Sequence, residues 1–190
     1  HGVRLPSNAR FIGLLSKFSD IESVPVKDLI DGEYNTVILS GPEPQRSILK
    51  RNLIVSLKDQ TLPTLILGGR PDKENSLEQY GNITFINHLN APEMRGIIEK
   101  SKCIITRSGY TAIMELISLK RSALLIPTPG QTEQEYLSGY LSDKGWFTSV
   151  LQKDLKENIP EVIVQTAPGD EIMTESRRLL EAALKKLSED

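Results

Sequence analysis

The sequence predicts an α/β fold: a Rossmann-like, doubly wound parallel sheet of about six strands, with helices on both faces. From Thr36 onward, short apolar runs alternate with longer segments of helical character, which is the rhythm of βαβ units. Most of these runs are too apolar to face water on either side, as is typical of parallel strands that helices cover.

The first expected strand ends at Gly41-Pro42, a turn signal. A later helix opens at Asn90-Ala91-Pro92, because asparagine caps helices and proline suits their first turn. The last helix is predicted from apolar residues at helical spacing. The expected strands are residues 36–40, 63–67, 82–86, 102–106, 123–127 and 147–151. The expected helices are residues 44–58, one opening at Asn90, 110–119, 132–143, 157–165 and 174–187.

Composition excludes several classes of protein. The 190 residues are 38% hydrophobic, and 23 basic residues stand against 25 acidic ones, so one compact domain is expected. The basic residues are scattered, which predicts no nucleic-acid partner. Because the apolar runs are too short to span a bilayer, any membrane contact is expected to be peripheral. A single cysteine, Cys103, excludes an internal disulfide, and we expect a cytoplasmic protein without a bound metal or cofactor.

Residues 1–35 are predicted to form a leader ahead of one domain at residues 36–190. The leader has loop-like patches at residues 6–8 and 19–20 around a short apolar piece, and it lacks a helical period. We interpret it as a segment that belongs partly to something upstream.

Ligands of open parallel sheets bind beyond the carboxyl ends of the strands, so the loops that follow the strands are the candidate site. The loop after the fourth predicted strand, residues 107–111, is the most informative, because it leads directly into a helix. Free amides at Tyr110 and Thr111 would bind a phosphate there, Gly109 would allow close approach, and the hydroxyls would add donors. The structural alternative is that Ser108 only caps the helix and Gly109 only turns the chain.

Glu115 lies one helical turn beyond Thr111 in an otherwise apolar segment, where a carboxylate needs a partner. A ribose diol in the same groove would supply two hydroxyl donors. Pairing with Arg107 or Lys120 is an equally good explanation on spacing alone.

The remaining loops are less specific. Gln134 and Glu135 follow the loop that contains Gly130, and they either reach over the groove to bind sugar hydroxyls or are solvated residues of a helix start. Gly41 and Arg46 form a candidate phosphate loop, although prolines remove amide donors from it. His88 is interpreted equally well as a groove residue or as a surface residue, and Cys103 is interpreted as a core residue. The sequence contains no Gly-x-Gly-x-x-Gly, no Gly-Lys-Ser/Thr and no Asp-x-Asp.

Three motifs carry a family resemblance. Residues 107–115 (RSGYTAIME), 123–127 (ALLIP) and 134–136 (QEY) resemble the carboxyl-terminal domain of family 28 GT-B glycosyltransferases. The resemblance covers roughly Thr36 to Gly145. Two positions depart from the family pattern: its glycine-rich first loop is replaced by residues 41–46, and its second glutamine is Glu135.

The resemblance implies a donor-binding domain of an inverting enzyme that takes a nucleotide-diphosphate sugar, with uridine as the expected base. The implied contacts are Ser108, Gly109 and Thr111 with the diphosphate, Glu115 with the ribose, Gln134 and Glu135 with the sugar, and the Ile86 backbone with the base.

The family's amino-terminal half, which binds the acceptor and carries the catalytic base, has no counterpart in this sequence. Catalytic residues and the acceptor are therefore not assigned. On this reading the chain is part of a longer cytoplasmic enzyme, peripheral to the inner face of the membrane at most, and inactive in transfer by itself. The alternatives are half of a GT-B sugar-nucleotide epimerase and a non-catalytic nucleotide-sugar-binding subunit.

Overall fold

The computed structural model describes Pro6 and residues 9–26, 29–30, 32–70, 77–155, 159 and 170–189. Strands and helices alternate along the described chain. They are β1 Asn35–Ile38, α1 Gln45–Leu57, β2 Thr64–Leu67, β3 Leu77–Tyr80, β4 Ile83–Ile86, α2 Ala91–Lys100, β5 Cys103–Thr106, α3 Tyr110–Ser118, β6 Leu124–Leu125, α4 Thr132–Asp143, β7 Thr148–Ser149 and α5 Asp170–Glu189. A short 3-10 helix, Gln152–Asp154, follows β7.

The strands form one sheet in the order β3-β4-β2-β1-β5-β6-β7. All neighbouring pairs are parallel except β3 and β4, which are antiparallel. From β1 the chain builds outward through β2, and from β5 it builds outward in the opposite direction. The predicted α/β class and doubly wound, mostly parallel sheet are therefore confirmed.

The expected number of strands is too low, because β3 was not predicted. Its residues, Leu-Glu-Gln-Tyr, are mostly exposed and form no apolar run. The strand is joined to β4 by a tight turn at Gly81, whose φ of +60° suits glycine. It is thus an edge strand held by backbone pairing rather than by burial.

The last two strands are shorter than predicted. β6 stops at Leu125, since Pro127 has no amide hydrogen and the carbonyl groups of Ile126 and Pro127 accept hydrogen bonds from Arg107. α5 is longer than the predicted residues 174–187. The predicted helix at residues 157–165 falls outside the described residues apart from Ile159.

The helix that opens at Asn90 is confirmed with its cap. The Asn90 side chain accepts from the Glu93 amide, and the Glu93 carboxylate accepts from the Asn90 amide. This reciprocal capping box fixes the start of α2 beside the carboxyl end of β4.

Apolar cores lie on both faces of the sheet. One contains Leu49, Leu53 and Leu57 of α1, and the other contains buried residues of α2, α3 and α4. Phe18 of the leader is 0% exposed in the second core, so this part of the leader packs as part of the domain. Among the described helices, none is both long and apolar enough to cross a membrane.

Candidate functional site

The candidate site lies where the strand order changes direction. β1 and β5 are neighbours, yet their chains continue to opposite sides of the sheet. The loops after such strands diverge and leave a crevice at their carboxyl ends, which is where open α/β sheets bind ligands. Both loops, residues 41–46 and 107–111, were selected from the sequence.

The start of α3 presents open amides at this crevice. Its cap residue, Gly109, has an extended backbone, and no side chain caps the helix. A Cβ built on Gly109 would meet nothing within 4 Å, so there is room for a ligand against the helix end. Tyr110 and Thr111 are exposed in the first turn. Unpaired amides of this kind favour an anion.

Ser108 does not cap α3, so the structural alternative for this residue is wrong. Its side chain is buried, and its hydroxyl donates to the carbonyl oxygen of Gln134 at 2.8 Å. The bond joins the start of α3 to the first turn of α4. Two of the predicted loops are therefore brought together, with Ser108 as the link between them.

Arg107 is 1% exposed and lies beneath the crevice. Its Nη1 donates to the carbonyl oxygens of Ile126 and Pro127, and its Nη2 donates to the Gln45 carbonyl and the Gln152 side chain. Burial lowers the pKa of Arg107 to about 10, which leaves the side chain a cation at neutral pH. Arg107 thus ties the ends of β5 and β6 to the start of α1, with its guanidinium turned into the protein.

Gln134 and Glu135 stabilise the loop that precedes them. The Gln134 side chain accepts from the Thr128 amide at 3.0 Å and donates to the Gln131 side chain at 2.5 Å. The Glu135 carboxylate accepts from the Gly130 amide at 3.2 Å. These contacts shape the loop at the crevice, and a sugar would have to bind beside them or replace them.

The first loop is closed by its own arginine. The Arg46 Nε and Nη2 atoms donate to the Gly41 carbonyl oxygen at 2.9 and 2.6 Å. Gly41 has a φ of +90°, and a Cβ there would approach only Thr128 Oγ1, at 3.9 Å. The loop therefore lies near the start of the α4 loop, while the Arg46 guanidinium is engaged at its base.

Glu115 has a partner that the sequence did not suggest. Its carboxylate is 3.2 Å from Lys17 Nζ, and its side chain is 9% exposed. The proposed partners are wrong, because Lys120 pairs with Asp170 and Arg107 binds carbonyl groups. Glu115 is thus a nearly buried carboxylate on the same helical face as Thr111, covered by a lysine of the leader.

Ile86 lies within β4, between β2 and β3. Its carbonyl oxygen already accepts from the Gly68 amide at 2.8 Å. His88 and Cys103 are half-buried. The Gly68 amide occupies one of the two acceptor positions of the Ile86 carbonyl oxygen.

The structure also brings together a second group of charged residues, which the sequence did not predict. Lys50 of α1 lies 3.3 Å from the centre of the Phe85 ring and 3.6 Å from Glu78. These residues line a cavity of 350 Å³ together with Glu43 and Arg70, at the ends of β1, β2 and β4. No local sequence pattern indicates this group of residues, because α1 and β3 come together only through the pairing of strands in the sheet.

The comparisons with known proteins identify a family and a fold. Residues 52–189, more than half of the chain, match the family described as "Glycosyltransferase family 28 C-terminal domain". A curated relative in Bacillus thuringiensis (strain Al Hakam) is UDP-N-acetylglucosamine--N-acetylmuramyl-(pentapeptide) pyrophosphoryl-undecaprenol N-acetylglucosamine transferase 1. It is 29% identical over 93 residues, which are 47% of this chain and 25% of that protein.

Solved structures show the same fold. The glycosyltransferase SnogD from Streptomyces nogalater matches with a TM-score of 0.54 and 13% identity, over 96% of this chain and 49% of its own. MurG from Acinetobacter baumannii matches with a TM-score of 0.53 and 15% identity, over 86% of this chain and 51% of its own. The chain thus spans about half the length of these structures, and its aligned residues cover a quarter of the curated relative.

The family match extends to the end of α5, beyond the resemblance seen in the sequence, and includes the α3 and α4 starts that form the crevice. The resemblance inferred from the three motifs is confirmed. This chain belongs to the glycosyltransferase family 28 C-terminal domain family.

Proposed function

We propose that this chain is the donor-binding domain of an inverting glycosyltransferase whose donor is a uridine-diphosphate sugar. The observation that carries the proposal is the uncapped start of α3 at the crevice, with Glu115 one helical turn further along. An anion site and a carboxylate at that separation suit a diphosphate and the ribose attached to it. The name of the curated relative contains UDP-N-acetylglucosamine, which supports uridine as the base.

The diphosphate is both the handle of the donor and the leaving group. As the bond to the sugar breaks, negative charge grows on the diphosphate, and fixed amides at Tyr110 and Thr111 stabilise that charge without reorganising. Inversion requires an acceptor hydroxyl to attack from the opposite side of the sugar. This chain would therefore supply donor binding and leaving-group stabilisation.

Gln134 and Glu135 are proposed to face the sugar. Both bind loop amides, and these contacts orient their polar groups. Amide and carboxylate groups held in this way can exchange a loop contact for a sugar hydroxyl. Arg107 and Ser108 then act by holding the loops, since both Nη atoms of Arg107 and the Ser108 hydroxyl bind other residues.

The solved structures that the chain matches are about twice as long as the chain. We propose that residues 1–35 lead from an acceptor-binding domain into the donor domain at residues 36–190. The relative's name places a pyrophosphoryl-undecaprenol acceptor on that protein. By analogy, we propose a cytoplasmic enzyme that works at the inner face of a membrane.

Calorimetry tests the proposal directly. UDP should bind more tightly than inorganic phosphate, dTDP and ADP, and Thr111→Val should weaken UDP binding by about 1–3 kcal/mol through loss of a charge-assisted hydrogen bond. Thr61→Val is the matched control, because Thr61 is also exposed but precedes β2 at the opposite edge of the sheet. Equal affinity for UDP and free phosphate would contradict the proposal.

A further inference from the structure

The cavity beside the start of α1 has no part in the proposed donor site. It lies at the carboxyl ends of β1, β2 and β4, and its volume of 350 Å³ is in the range of small-molecule sites. The loop at residues 41–46 borders both spaces: Gly41 faces Thr128 at the crevice, whereas Glu43 and Arg46 line the cavity. The cavity therefore adjoins the crevice and has different walls.

One wall of the cavity is fixed by backbone contacts. The Gly68 amide donates to the Ile86 carbonyl oxygen at 2.8 Å. The Arg70 amide donates to the Asn87 carbonyl oxygen at 3.1 Å. A Cβ built on Gly68 would lie 2.8 Å from the Phe85 ring, so the backbone after β2 packs directly on another lining residue. The fold itself thus shapes the cavity.

Two ion pairs face this space, and both are longer than a hydrogen bond. Lys50 Nζ lies 3.6 Å from Glu78 Oε2, and Arg70 Nη1 lies 4.0 Å from Glu43 Oε1. The third cation, Arg46, directs Nε and Nη2 to a backbone carbonyl oxygen of its own loop. The two ion pairs together carry no net charge, so the cavity presents cations and carboxylates in balance.

Neighbouring groups hold these charges in place. A hydrogen bond from Ser47 lowers the pKa of Glu43, and one from Tyr80 lowers the pKa of Glu78, so both carboxyl groups are ionised at neutral pH. The Ser47 amide also donates to Glu43, at 3.2 Å. Two aromatic rings border the Lys50 ammonium, and the centre of the nearer ring is 3.3 Å away. The polar groups of the cavity are therefore oriented by the protein.

A hydroxyl group suits such an ion pair better than a charged group does. It can donate to the carboxylate and accept from the cation at the same time, and hydrogen bonds to charged groups are stronger than neutral ones. A sugar carries several hydroxyls on one rigid ring. An anion would meet two carboxylates in this cavity, and a cation would meet the lysine and the arginine. The lining therefore fits a neutral sugar.

We propose that this cavity is a subsite for a neutral sugar unit of the acceptor, while the crevice binds the donor. The assignment to the acceptor rests on the proposed function, since transfer needs an acceptor close to the donor and the cavity adjoins the crevice. The binding of a neutral sugar rests on the cavity alone. The subsite adds to the proposed acceptor-binding domain and does not replace it.

NMR titration of the isotope-labelled chain tests the subsite with a neutral, a cationic and an anionic sugar: N-acetylglucosamine, glucosamine and glucuronate. Each is titrated with and without saturating UDP. N-acetylglucosamine should shift the amide signals of Ser47 and Lys50 whether or not UDP is present. Each charged sugar should bind at least about threefold more weakly, because it brings a like charge to one member of each ion pair.

Substitutions in one ion pair test the contacts. Lys50→Gln and Glu78→Gln should each weaken N-acetylglucosamine binding about fivefold, through loss of a charge-assisted hydrogen bond. Neither should change the affinity for UDP. Lys58→Gln is the matched control, because Lys58 follows the last turn of α1 and pairs with Asp59 at 3.8 Å, away from the cavity.

The subsite is wrong if N-acetylglucosamine leaves the Ser47 and Lys50 signals in place, if UDP displaces it, or if a charged sugar binds more tightly. UDP binding without sugar binding leaves the proposed function standing and removes the subsite. Sugar binding at these residues without UDP binding has the opposite meaning: the carbohydrate site stands, and the proposed function and the acceptor assignment fail. The charge series and the UDP competition use the wild-type chain, so they decide the question even where a variant does not fold.

Discussion

At the scale of single residues, Glu115 is a nearly buried carboxylate that pairs with the half-exposed Lys17. A carboxylate among apolar helix residues requires a partner whatever the fold, and this requirement is visible in residues 111–117 alone. The identity of the partner is not visible, because Lys17 is almost a hundred positions away in the chain. Neither candidate that spacing suggested, Arg107 or Lys120, is the partner.

Glu115→Gln separates ligand binding from stability. Glutamine keeps the volume but replaces a charged acceptor by a neutral one, so UDP affinity should fall about tenfold. The melting temperature should hardly change, since the lost ion pair involves a half-exposed lysine. Calorimetry and thermal unfolding on the same variant measure both effects. A lower melting temperature with unchanged UDP affinity would give Glu115 a purely structural role.

Cys103 gives a prediction about pH. Burial raises the pKa of this thiol from 9.0 to about 11, so the folded state holds its proton more tightly than the unfolded state. Stability from this group is complete below pH 9 and is lost as the pH rises toward 11. Urea unfolding between pH 8 and 10.5 should show a decline that is smaller in Cys103→Ala, relative to the value of each protein at pH 8. An identical decline in the two proteins would contradict the assignment.

At the scale of elements, local chemistry was predicted well and distant pairing was not. The start of α2 followed from Asn90 and Pro92, because a capping box forms within four residues. The strand β3 was missed because its residues are exposed and its order comes from β4. The predicted β6 was too long. The strand ends where Arg107 binds the Ile126 carbonyl group, and the apolar run does not indicate this contact. The crevice loops could be predicted from the sequence because they follow strands. The contacts within these loops could not, because they depend on packing.

A partly buried hydrogen bond, from Ser108 to the Gln134 carbonyl, links the residues before α3 to the first turn of α4. Ser108→Ala removes the donor and leaves a carbonyl group without it, which should lower the free energy of unfolding by about 1–3 kcal/mol. Denaturant unfolding measures this loss. Ser142→Ala is a control on the same helix, at a half-buried position near its far end. Unchanged stability in Ser108→Ala would mean that the two loops are held together by other contacts.

At the scale of the whole molecule, the leader and the sheet share one core. Phe18 is fully buried beside residues of α2 and α3, and Gly13 lies so close to Ser176 of α5 that a Cβ there would clash with the Ser176 Cα. Hydrophobic patterning alone does not indicate this packing, because the leader has no regular period to reveal its buried side. Its packing depends on α3 and α5, which follow it by roughly a hundred residues or more.

The 190-residue chain should bind UDP-sugar donors without transferring the sugar. Under the proposed function, donor binding needs the α3 start, Glu115 and the α4 loop, all of which are formed in this structure. Transfer also needs an acceptor held in line with the sugar and a base for its hydroxyl, and the matching structures are about twice as long as this chain. Incubation with UDP-N-acetylglucosamine and an acceptor lipid, followed by measurement of released UDP, should show no release above that from a Glu115→Gln control. Sustained release that depends on the acceptor would show that this chain contains its own acceptor site and base, and would place both among the residues described here or in the segments between them.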